Sequence, residues 1–306
     1  MITLNSDAAS TSLSKTTKAI LNEYGIKLNK NLGQNYLIDR NKRDQIIQFG
    51  NLTKDDVVLE IGPGIGTLTI ELAKRVKKVI AIEQDSNICQ ILENRLKKEN
   101  IDNVELINDD ALNVEFPKFD KIISNLPYQI SSPITFKFLN YDFQLAILMY
   151  QKEFASRMNG KVGSKDYSRL SAMLYFKCDV NLLTGVSAES FIPKPKVDSA
   201  VVRLTPKLPE LNGQLKHLNI NEINEKDFKT YSKFVKALFQ HRNKKVKNAL
   251  IDSRHIITDL DKKEVKTKLN SVKQKKIEEL LSERITNLTP EEILYLSIHL
   301  NSVLEE

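Results

Sequence analysis

The four residues Asn125-Leu126-Pro127-Tyr128 bring an amide, a rigid proline and an aromatic ring together just after the run 119–123. That run is typical of a strand entering a protein core, so the four residues stand where the strand ends. Asparagine and proline favour turns, and a single tyrosine is often half-buried, so the segment could be an ordinary turn. The same groups could also bind a flat ring, and the four residues alone leave both interpretations open.

A glycine loop with the spacing Gly62-x-Gly64-x-Gly66 lies between a predicted strand and a predicted helix. The spacing is neither a dinucleotide fingerprint nor a Walker loop, and many such loops are only tight turns. Glu83 ends the next strand, where a carboxylate can accept hydrogen bonds from both hydroxyls of a ribose. Asp110 follows the third strand and could accept from an adenine amino group, although either acid could equally be a solvated charge. Together they predict an adenosine pocket that has no phosphate-binding lysine.

Other residue types limit the chemistry. The four histidines all lie in the last third of the chain: His217, His241, His255 and His299. The first two-thirds therefore have no histidine general base, and with only two cysteines we expect neither a metal site nor a disulfide framework. The formal net charge of +7 makes an anionic partner plausible without proving one.

Alternating strand and helix patterns predict an α/β fold with a mixed, Rossmann-like sheet and helices on both faces. The predicted strands cover residues 57–61, 78–83, 104–108, 121–125, 143–151, 180–186 and 197–206. Helical spacing occupies residues 67–76 and 86–98. The last two strands suggest an antiparallel pair at one edge of the sheet.

A change of composition around residues 206–213 predicts a boundary between domains. We expect an N-terminal extension over residues 1–30, a catalytic domain over 31–207 and a smaller helical domain over 208–306. Residues 228–251 have helical spacing, and Thr289, Pro290 and Glu292 predict a capped helix start. The longest apolar run, 145–150, is too short to cross a membrane, so we expect a cytoplasmic protein.

The loop Glu60–Gly66, with Glu83 and Asp110, resembles the nucleotide site of class I S-adenosylmethionine-dependent methyltransferases. Asn-Leu-Pro-Tyr resembles the fourth motif of enzymes that methylate the adenine amino group. Further stretches resemble the small-subunit ribosomal RNA adenine N6-dimethyltransferases, in the right order from about residue 30 to the C-terminus. These stretches are LGQNYLID (32–39), MYQKEFASRM (149–158), GSKDYSRLS (163–171), FIPKPKVDSAVVRL (191–204) and ALFQHRNKKVKNAL (237–250).

The resemblance implies dimethylation of two adjacent adenosines in a hairpin loop near the 3′ end of small-subunit rRNA, within a pre-ribosomal particle. It implies S-adenosylmethionine as cofactor, and we expect a monomer. Contacts to the cofactor are expected from Asn35, Leu37, Gly62, Gly64, Gly66, Glu83, Asp110 and Asn125. Phosphate contacts are expected from Arg242, Lys244, Lys245 and Lys247, although a run of charges is usually a solvated helix face.

The expected mechanism uses the Asn-Leu-Pro-Tyr motif. The Asn125 oxygen and the Leu126 carbonyl would each accept one N6 hydrogen and so make the amino nitrogen more nucleophilic. Pro127 would fix the direction of that carbonyl, and Tyr128 would stack on the flipped base. Direct displacement at a sulfonium methyl needs positioning more than acid–base catalysis, which agrees with the lack of histidines.

Two alternatives stay open from the sequence. A methyltransferase acting on a large-subunit rRNA adenine is the nearest enzyme, but those relatives are usually shorter at the C-terminus. A non-catalytic RNA-binding assembly or transcription factor could keep the same fold. Intact Glu83, Asp110 and Asn-Leu-Pro-Tyr argue against that loss, because RNA binding alone would not need them all.

Overall fold

The computed structural model describes residues 12–26, 35–207 and 224–305, which form two compact units. The first unit runs as far as Ala155 and resumes over Asn181–Thr205. The second comprises Ser156–Val180 and the residues from Pro206 onward. The predicted boundary after residue 207 assigns Ser156–Val180 to the catalytic domain, whereas these residues group with the second unit in the structure. The predicted boundary itself stays a prediction, since the described residues are interrupted after residue 207. Of the predicted N-terminal extension, only residues 12–26 lie within them.

A seven-stranded mixed sheet organises the first unit, with the strand order β4-β3-β2-β5-β6-β9-β7. A separate antiparallel pair joins β1 to β8. The strands are β1 (Tyr36–Leu37), β2 (Val57–Ile61), β3 (Lys78–Glu83), β4 (Val104–Asn108), β5 (Lys121–Asn125), β6 (Leu145–Gln151), β7 (Cys178–Val186), β8 (Phe191–Ile192) and β9 (Ser199–Pro206). Neighbours from β4 to β6 are parallel, whereas β9 runs antiparallel to β6. The predicted mixed α/β fold is confirmed.

The parallel strands β2, β3, β5 and β6 are largely apolar because both of their faces are covered. Val58 and Leu59 in β2 and Ile147 and Leu148 in β6 are completely buried. Parallel neighbours need crossover connections, and a helix lies between β2 and β3, between β3 and β4, and between β5 and β6. The helices that precede β7 in the chain are α1 (Leu13–Glu23), α2 (Arg40–Phe49), α3 (Thr69–Ala73), α4 (Ser86–Lys98), α5 (Ser131–Phe138), α6 (Lys152–Met158) and α7 (Arg169–Tyr175).

The second unit is helical. It contains α7 and the helices α8 (Glu225–Phe239), α9 (Val246–Asp252), α10 (Lys262–Ser271), α11 (Lys275–Ser282) and α12 (Pro290–Glu305). Their buried apolar side chains, including Phe234, Leu250 and Leu296, form one core. The predicted cap of α12 is confirmed, because the Glu292 N–H donates to Thr289 Oγ1 (3.2 Å) and the Thr289 N–H donates to the Glu292 carboxylate (3.0 Å).

The helical pattern over residues 228–251 is interrupted in the structure. Helix α8 ends at Phe239 and α9 begins at Val246. Between them the backbone of Lys245 bridges to that of Arg284, and the Val246 N–H donates to the Glu283 carbonyl (2.9 Å). Backbone pairing with a distant segment therefore replaces helical hydrogen bonds at this point, which side-chain periodicity does not reveal.

No helix within residues 12–26, 35–207 and 224–305 is long and apolar enough to cross a membrane. In the same residues, no group of three or more histidine, cysteine, aspartate or glutamate side chains is placed to hold a metal ion. Cys89 and Cys178 are buried free thiols.

Candidate functional site

One cavity of the first unit lies where the carboxyl ends of β2, β3 and β5 meet the segment after β4. Parallel pairing sets Ile61 beside Ile82 and Glu83 beside Asn108, so these strand ends share one edge of the sheet. The space inside its wall, with the open mouth included, is about 1130 Å³. Its wall includes Asn35, Leu37, Gly62, Gly64, Glu83, Asp110, Asn125, Leu126, Pro127 and Tyr128, all of which the sequence assigned to the cofactor or to catalysis.

Gly62 brings the glycine loop against the Asn-Leu-Pro-Tyr segment. Its φ is +67°, in the left-handed region that favours glycine. A Cβ at this position would lie 3.0 Å from Pro127 Cγ and 3.1 Å from Pro127 Cδ. The Gly62 N–H donates to the Ile82 carbonyl (2.9 Å), which fixes the loop to β3. The two motifs that the sequence singled out therefore form one continuous wall.

Gly66 occupies a different place from the other two glycines of the loop. It is not among the described residues that line the cavity. Its φ is +88°, and a Cβ there would come within 2.5 Å of Leu92 Cδ1 on α4. Gly66 thus allows α4 to pack closely on the loop, and its contact with a cofactor stays a prediction.

Glu83 ties the glycine loop to the turn after β3. Its two carboxylate oxygens accept hydrogen bonds from the Gly64 N–H (3.2 Å) and the Asp85 N–H (3.1 Å). Burial raises the pKa of Glu83, and the nearby Asp85 carboxylate raises it further, while the two backbone donors lower it. An ionised carboxylate offers about four acceptor positions, so these backbone donors do not use the whole acceptor capacity of Glu83.

Asp110 begins a short turn at the rim of the cavity. Its Oδ1 accepts from the Leu112 N–H (2.9 Å) and its Oδ2 from the Asn113 side-chain amide (3.2 Å). The Asp110 carbonyl accepts the N–H groups of Asn113 (2.9 Å) and Val114 (3.1 Å). The carboxylate therefore caps its own turn, as an N-cap aspartate does, and retains acceptor capacity at the cavity.

Asn125 is oriented by a hydrogen bond across the cavity wall. Its Nδ2 donates to the Asn35 carbonyl (3.0 Å). A side-chain amide has one nitrogen donor group and one oxygen acceptor, so this bond leaves Oδ1 as the acceptor for a ligand. Pro127, with φ −59° and ψ 124°, holds the backbone after the buried Leu126.

Tyr128 is half-buried at the end of this segment, in a single turn of 3₁₀ helix over Tyr128–Ile130. Its hydroxyl shares a 2.6 Å hydrogen bond with the buried Ser199 hydroxyl at the start of β9. Burial raises the pKa of Tyr128, while the bond to Ser199 lowers it. The hydroxyl end of the ring is thus anchored, and its predicted stacking role stays a prediction.

Two residues of the wall, Tyr36 and Glu60, belong to stretches that carry the resemblance, but neither was assigned a role of its own from the sequence. Glu60 is only 2% exposed, and burial raises the pKa of its carboxyl to about 8. The neighbouring Thr69 hydroxyl lowers that pKa by a smaller amount than burial raises it, although it makes no hydrogen bond with the carboxyl. Glu60 Oε2 and the Tyr36 hydroxyl have no hydrogen-bond partner among the described residues. An acid inside the otherwise apolar run VVLEI was the available signal for Glu60.

The four basic residues assigned to RNA differ in their surroundings within the second unit. Arg242 donates to the carbonyls of Lys165 (2.9 Å) and Ser164 (3.2 Å), and Lys244 pairs with Asp252 (2.7 Å). Lys245 and Lys247 line a shallow groove, where Lys247 Nζ donates to the Asn270 side chain. The charges of Lys245 and Lys247 thus have no acidic partner among the described residues.

The charge of the cavity wall favours one class of ligand. Its described residues include three carboxyl groups, Glu60, Glu83 and Asp110, and no lysine or arginine. Carboxylates accept hydrogen bonds from hydroxyl and amino groups and attract cations, whereas a phosphate needs donors or positive charge. The wall is therefore suited to a ligand that carries hydroxyl and amino groups or a positive charge.

Sequence comparison identifies relatives along almost the whole chain. Residues 25–287 match the family described as "Ribosomal RNA adenine dimethylase". A protein of Methanosphaera stadtmanae described as "Probable ribosomal RNA small subunit methyltransferase A" is 49% identical, over 92% of this chain and 97% of that protein. A protein of Methanothermobacter thermautotrophicus with the same description is 45% identical, over 94% of this chain and 96% of that protein.

Two solved structures are similar in fold. A dimethyladenosine transferase from Plasmodium falciparum has a TM-score of 0.69 and 30% sequence identity, over 87% of this chain and 98% of that one. The 23S rRNA methyltransferase ErmE has a TM-score of 0.58 and 26% identity, over 89% of this chain and 100% of that one. Both similarities extend beyond the sheet, because the share of this chain that they cover exceeds the first unit.

Proposed function

Because the chain belongs to the ribosomal RNA adenine dimethylase family, we propose that it dimethylates N6 of two adjacent adenosines in small-subunit rRNA. The descriptions of the two relatives as probable small-subunit methyltransferases support the choice of subunit. The ordered motifs from LGQNYLID to ALFQHRNKKVKNAL support the pair of adenosines in a hairpin loop near the 3′ end.

The methyl donor is S-adenosylmethionine, as membership of this methyltransferase family implies. The wall of the cavity fits it, because Glu60 Oε2 is a buried polar atom without a hydrogen-bond partner among the described residues and the wall carries three carboxyl groups. Glu83 is suited to the ribose hydroxyls and Asp110 to the adenine amino group. When bound, the cofactor supplies a methyl group on a sulfonium, which is a good leaving group.

The orientation of Asn125 is the single observation that carries the proposed chemistry. Since Nδ2 is held by the Asn35 carbonyl, Oδ1 is the acceptor that remains for a substrate amino group. The Leu126 carbonyl would accept the second hydrogen, and Tyr128 would stack on the base. An amino nitrogen with both hydrogens held in this way regains electron density and can attack the methyl group without a general base. The nitrogen is cationic and acidic after the transfer, so its proton then leaves to water.

The remaining expectations extend this proposal. The substrate would be rRNA within a small-subunit precursor, approached by a monomer in the cytoplasm. Two buried free thiols are in keeping with a reducing compartment. The alternative of a non-catalytic binding factor has no specific observation in its favour, and the matching family is described as a dimethylase.

The proposal is tested by mass spectrometry of rRNA after incubation with isotopically labelled cofactor. Small-subunit particles that lack the modification, large-subunit particles and buffer alone are compared. We expect two dimethyladenosines in one small-subunit fragment. Label in large-subunit rRNA would support instead an activity like that of the 23S rRNA methyltransferase ErmE, and label in neither would contradict the proposed substrate.

A further inference from the structure

The turn after Asp110 leaves backbone carbonyls that need donors. At the N-terminal side of the turn, the Asp110 carboxylate accepts the Leu112 N–H. The Asp110 carbonyl accepts the N–H groups of Asn113 and Val114. The turn spans only residues 111–114, so its carbonyls cannot be satisfied by a following helix. Carbonyls at the end of such a turn require a side chain or water as donor.

Lys137 of α5 supplies these donors. Its Nζ donates to the carbonyls of Ala111 (2.9 Å) and Leu112 (3.2 Å), and to that of Val114. An ammonium group has three protons, so all three are used on this one turn. The same Nζ lies 4.3 Å from the centre of the Phe116 ring, which adds a cation–π contact to the next part of the segment.

Both sides of this contact are held in place. Phe116 packs on Phe119, Phe138 and Tyr141, and its N–H donates to the Tyr141 hydroxyl (3.2 Å). In α5, Ile134, Thr135 and Phe138 are completely buried, and the Thr135 hydroxyl shares a 2.7 Å hydrogen bond with Tyr150. The lysine therefore joins two rigid parts of the first unit.

Helix α5 also begins directly after the Asn-Leu-Pro-Tyr segment, at Ser131. The catalytic segment thus precedes this short helix, and Lys137, which contacts the 111–114 turn, lies near the end of the same helix. The three hydrogen bonds of Lys137 therefore oppose movement of that turn relative to Asn125.

We propose that Lys137 is a positioning residue of the cofactor site, which holds the 111–114 turn so that Asp110 meets the adenine end of the ligand. The inference rests on the proposed function only in taking Asp110 as the adenine contact. Lys137 itself is not among the described residues of the cavity wall. It acts through the turn, as a support for a residue that contacts the ligand.

Calorimetry on the full chain without RNA tests this role with Lys137→Met, which keeps the aliphatic stem and removes all three donors. The probes are S-adenosylmethionine and 5′-methylthioadenosine, which lacks the amino-acid portion. We expect the Kd of both probes to rise by a similar factor, about tenfold, since hydrogen bonds to charged groups contribute on that scale. The kcat at saturating cofactor should stay near that of the wild type.

Lys54→Met is the matched control, because Lys54 Nζ also donates to a backbone carbonyl, that of Lys74 (2.7 Å), away from this cavity. We expect it to leave both Kd values unchanged. If Lys137→Met does not fold, Lys137→Gln, which keeps an amide donor, is measured in the same way and should show a smaller rise in both Kd values.

A lower Tm with unchanged Kd for both probes would overturn the proposal and make Lys137 a purely structural contact. A weaker affinity for S-adenosylmethionine alone would also overturn it, because the effect would then lie at the amino-acid end. Failure of the rRNA proposal is separate, since it would appear as missing methylation while these binding differences persist.

Discussion

At the residue scale, Glu60 makes stability depend on pH. Its pKa rises from an ordinary 4.5 to about 8 because the folded protein buries the carboxyl. Below about pH 4.5 the group is protonated in both states. Between 4.5 and 8 only the unfolded state loses the proton, which stabilises that state, so the contribution of Glu60 to the free energy of unfolding falls as pH rises.

We therefore expect Glu60→Gln to be more stable than the wild type at pH 8, without cofactor, and to lose part of the decline in stability between pH 5 and pH 8. Urea unfolding at pH 5, 6.5 and 8 measures this. Glu105→Gln, which removes a partly exposed carboxylate paired with Lys78, should keep the wild-type dependence on pH. Equal slopes for wild type and Glu60→Gln would refute the buried, neutral carboxyl.

Asn125→Ala isolates the amide that the proposed chemistry needs. We expect it to keep its fold and its RNA binding and to lower kcat at saturating cofactor by about 100-fold or more, the scale seen when one preorganised transition-state contact is removed. Single-turnover methyl transfer to rRNA measures the effect.

Asn103→Ala is the matched control for Asn125→Ala. The Asn103 amide also donates to backbone carbonyls, those of Ala73 (2.9 Å) and Val76 (3.2 Å), but outside the cavity. It should lower stability and leave kcat near the wild-type value. Near-normal turnover by Asn125→Ala would rule out the assigned role.

At the scale of elements, the glycine loop and the Asn-Leu-Pro-Tyr segment act as one wall through Gly62. We expect Gly62→Ala to cost about 1–2 kcal/mol of stability, since a Cβ is strained at positive φ. It should also weaken S-adenosylmethionine binding and slow methyl transfer, because the new Cβ would press on Pro127 at 3.0 Å. Urea unfolding, calorimetry and kcat are measured together.

Gly163→Ala separates the two effects of that substitution. Gly163 has φ +79°, but a Cβ there would meet nothing within 4 Å. It should lose similar stability and keep cofactor affinity and turnover. If Gly62→Ala also kept both, the close packing of the two motifs would have no functional consequence.

Strand positions were predictable from sequence because four of the parallel strands, β2, β3, β5 and β6, are largely buried and form short apolar runs. The pairing of Tyr36–Leu37 with Phe191–Ile192 was not, since a two-residue strand has no periodicity and its partner is far away in sequence. The interruption of the 228–251 helix had the same cause, a backbone bridge between Lys245 and Arg284. Long-range backbone pairing is what local pattern cannot supply.

The candidate site was predictable where a residue sits in a motif, as Glu83, Asp110 and Asn125 do. Glu60 stands in the glycine-loop motif, but its special state was not predicted, because side-chain burial and the lack of a partner among the described residues are properties of the folded cavity. Lys137 was missed because its three carbonyl partners follow Asp110, on a different loop. Its spacing in the sequence carries no signal.

At the scale of the whole molecule, the basic residues of the second unit should differ in their contribution to RNA binding. Arg242 is occupied by two backbone carbonyls and Lys244 by Asp252. Lys245 is exposed, and the hydrogen bond of Lys247 goes to a neutral amide. The charges of these last two lysines are therefore the ones available to phosphates.

Replacing Lys245 and Lys247 together by glutamine should weaken RNA binding and make it less dependent on salt. The slope of log K against log salt should fall by roughly 0.7 for each phosphate of single-stranded RNA that the protein no longer neutralises. Lys244→Gln should change the slope less, because Asp252 already neutralises that lysine. Titrations over a range of salt concentrations measure both variants. An unchanged slope for the double variant would assign Lys245 and Lys247 to solvated surface, and a larger change for Lys244→Gln would show that its ion pair opens when RNA binds.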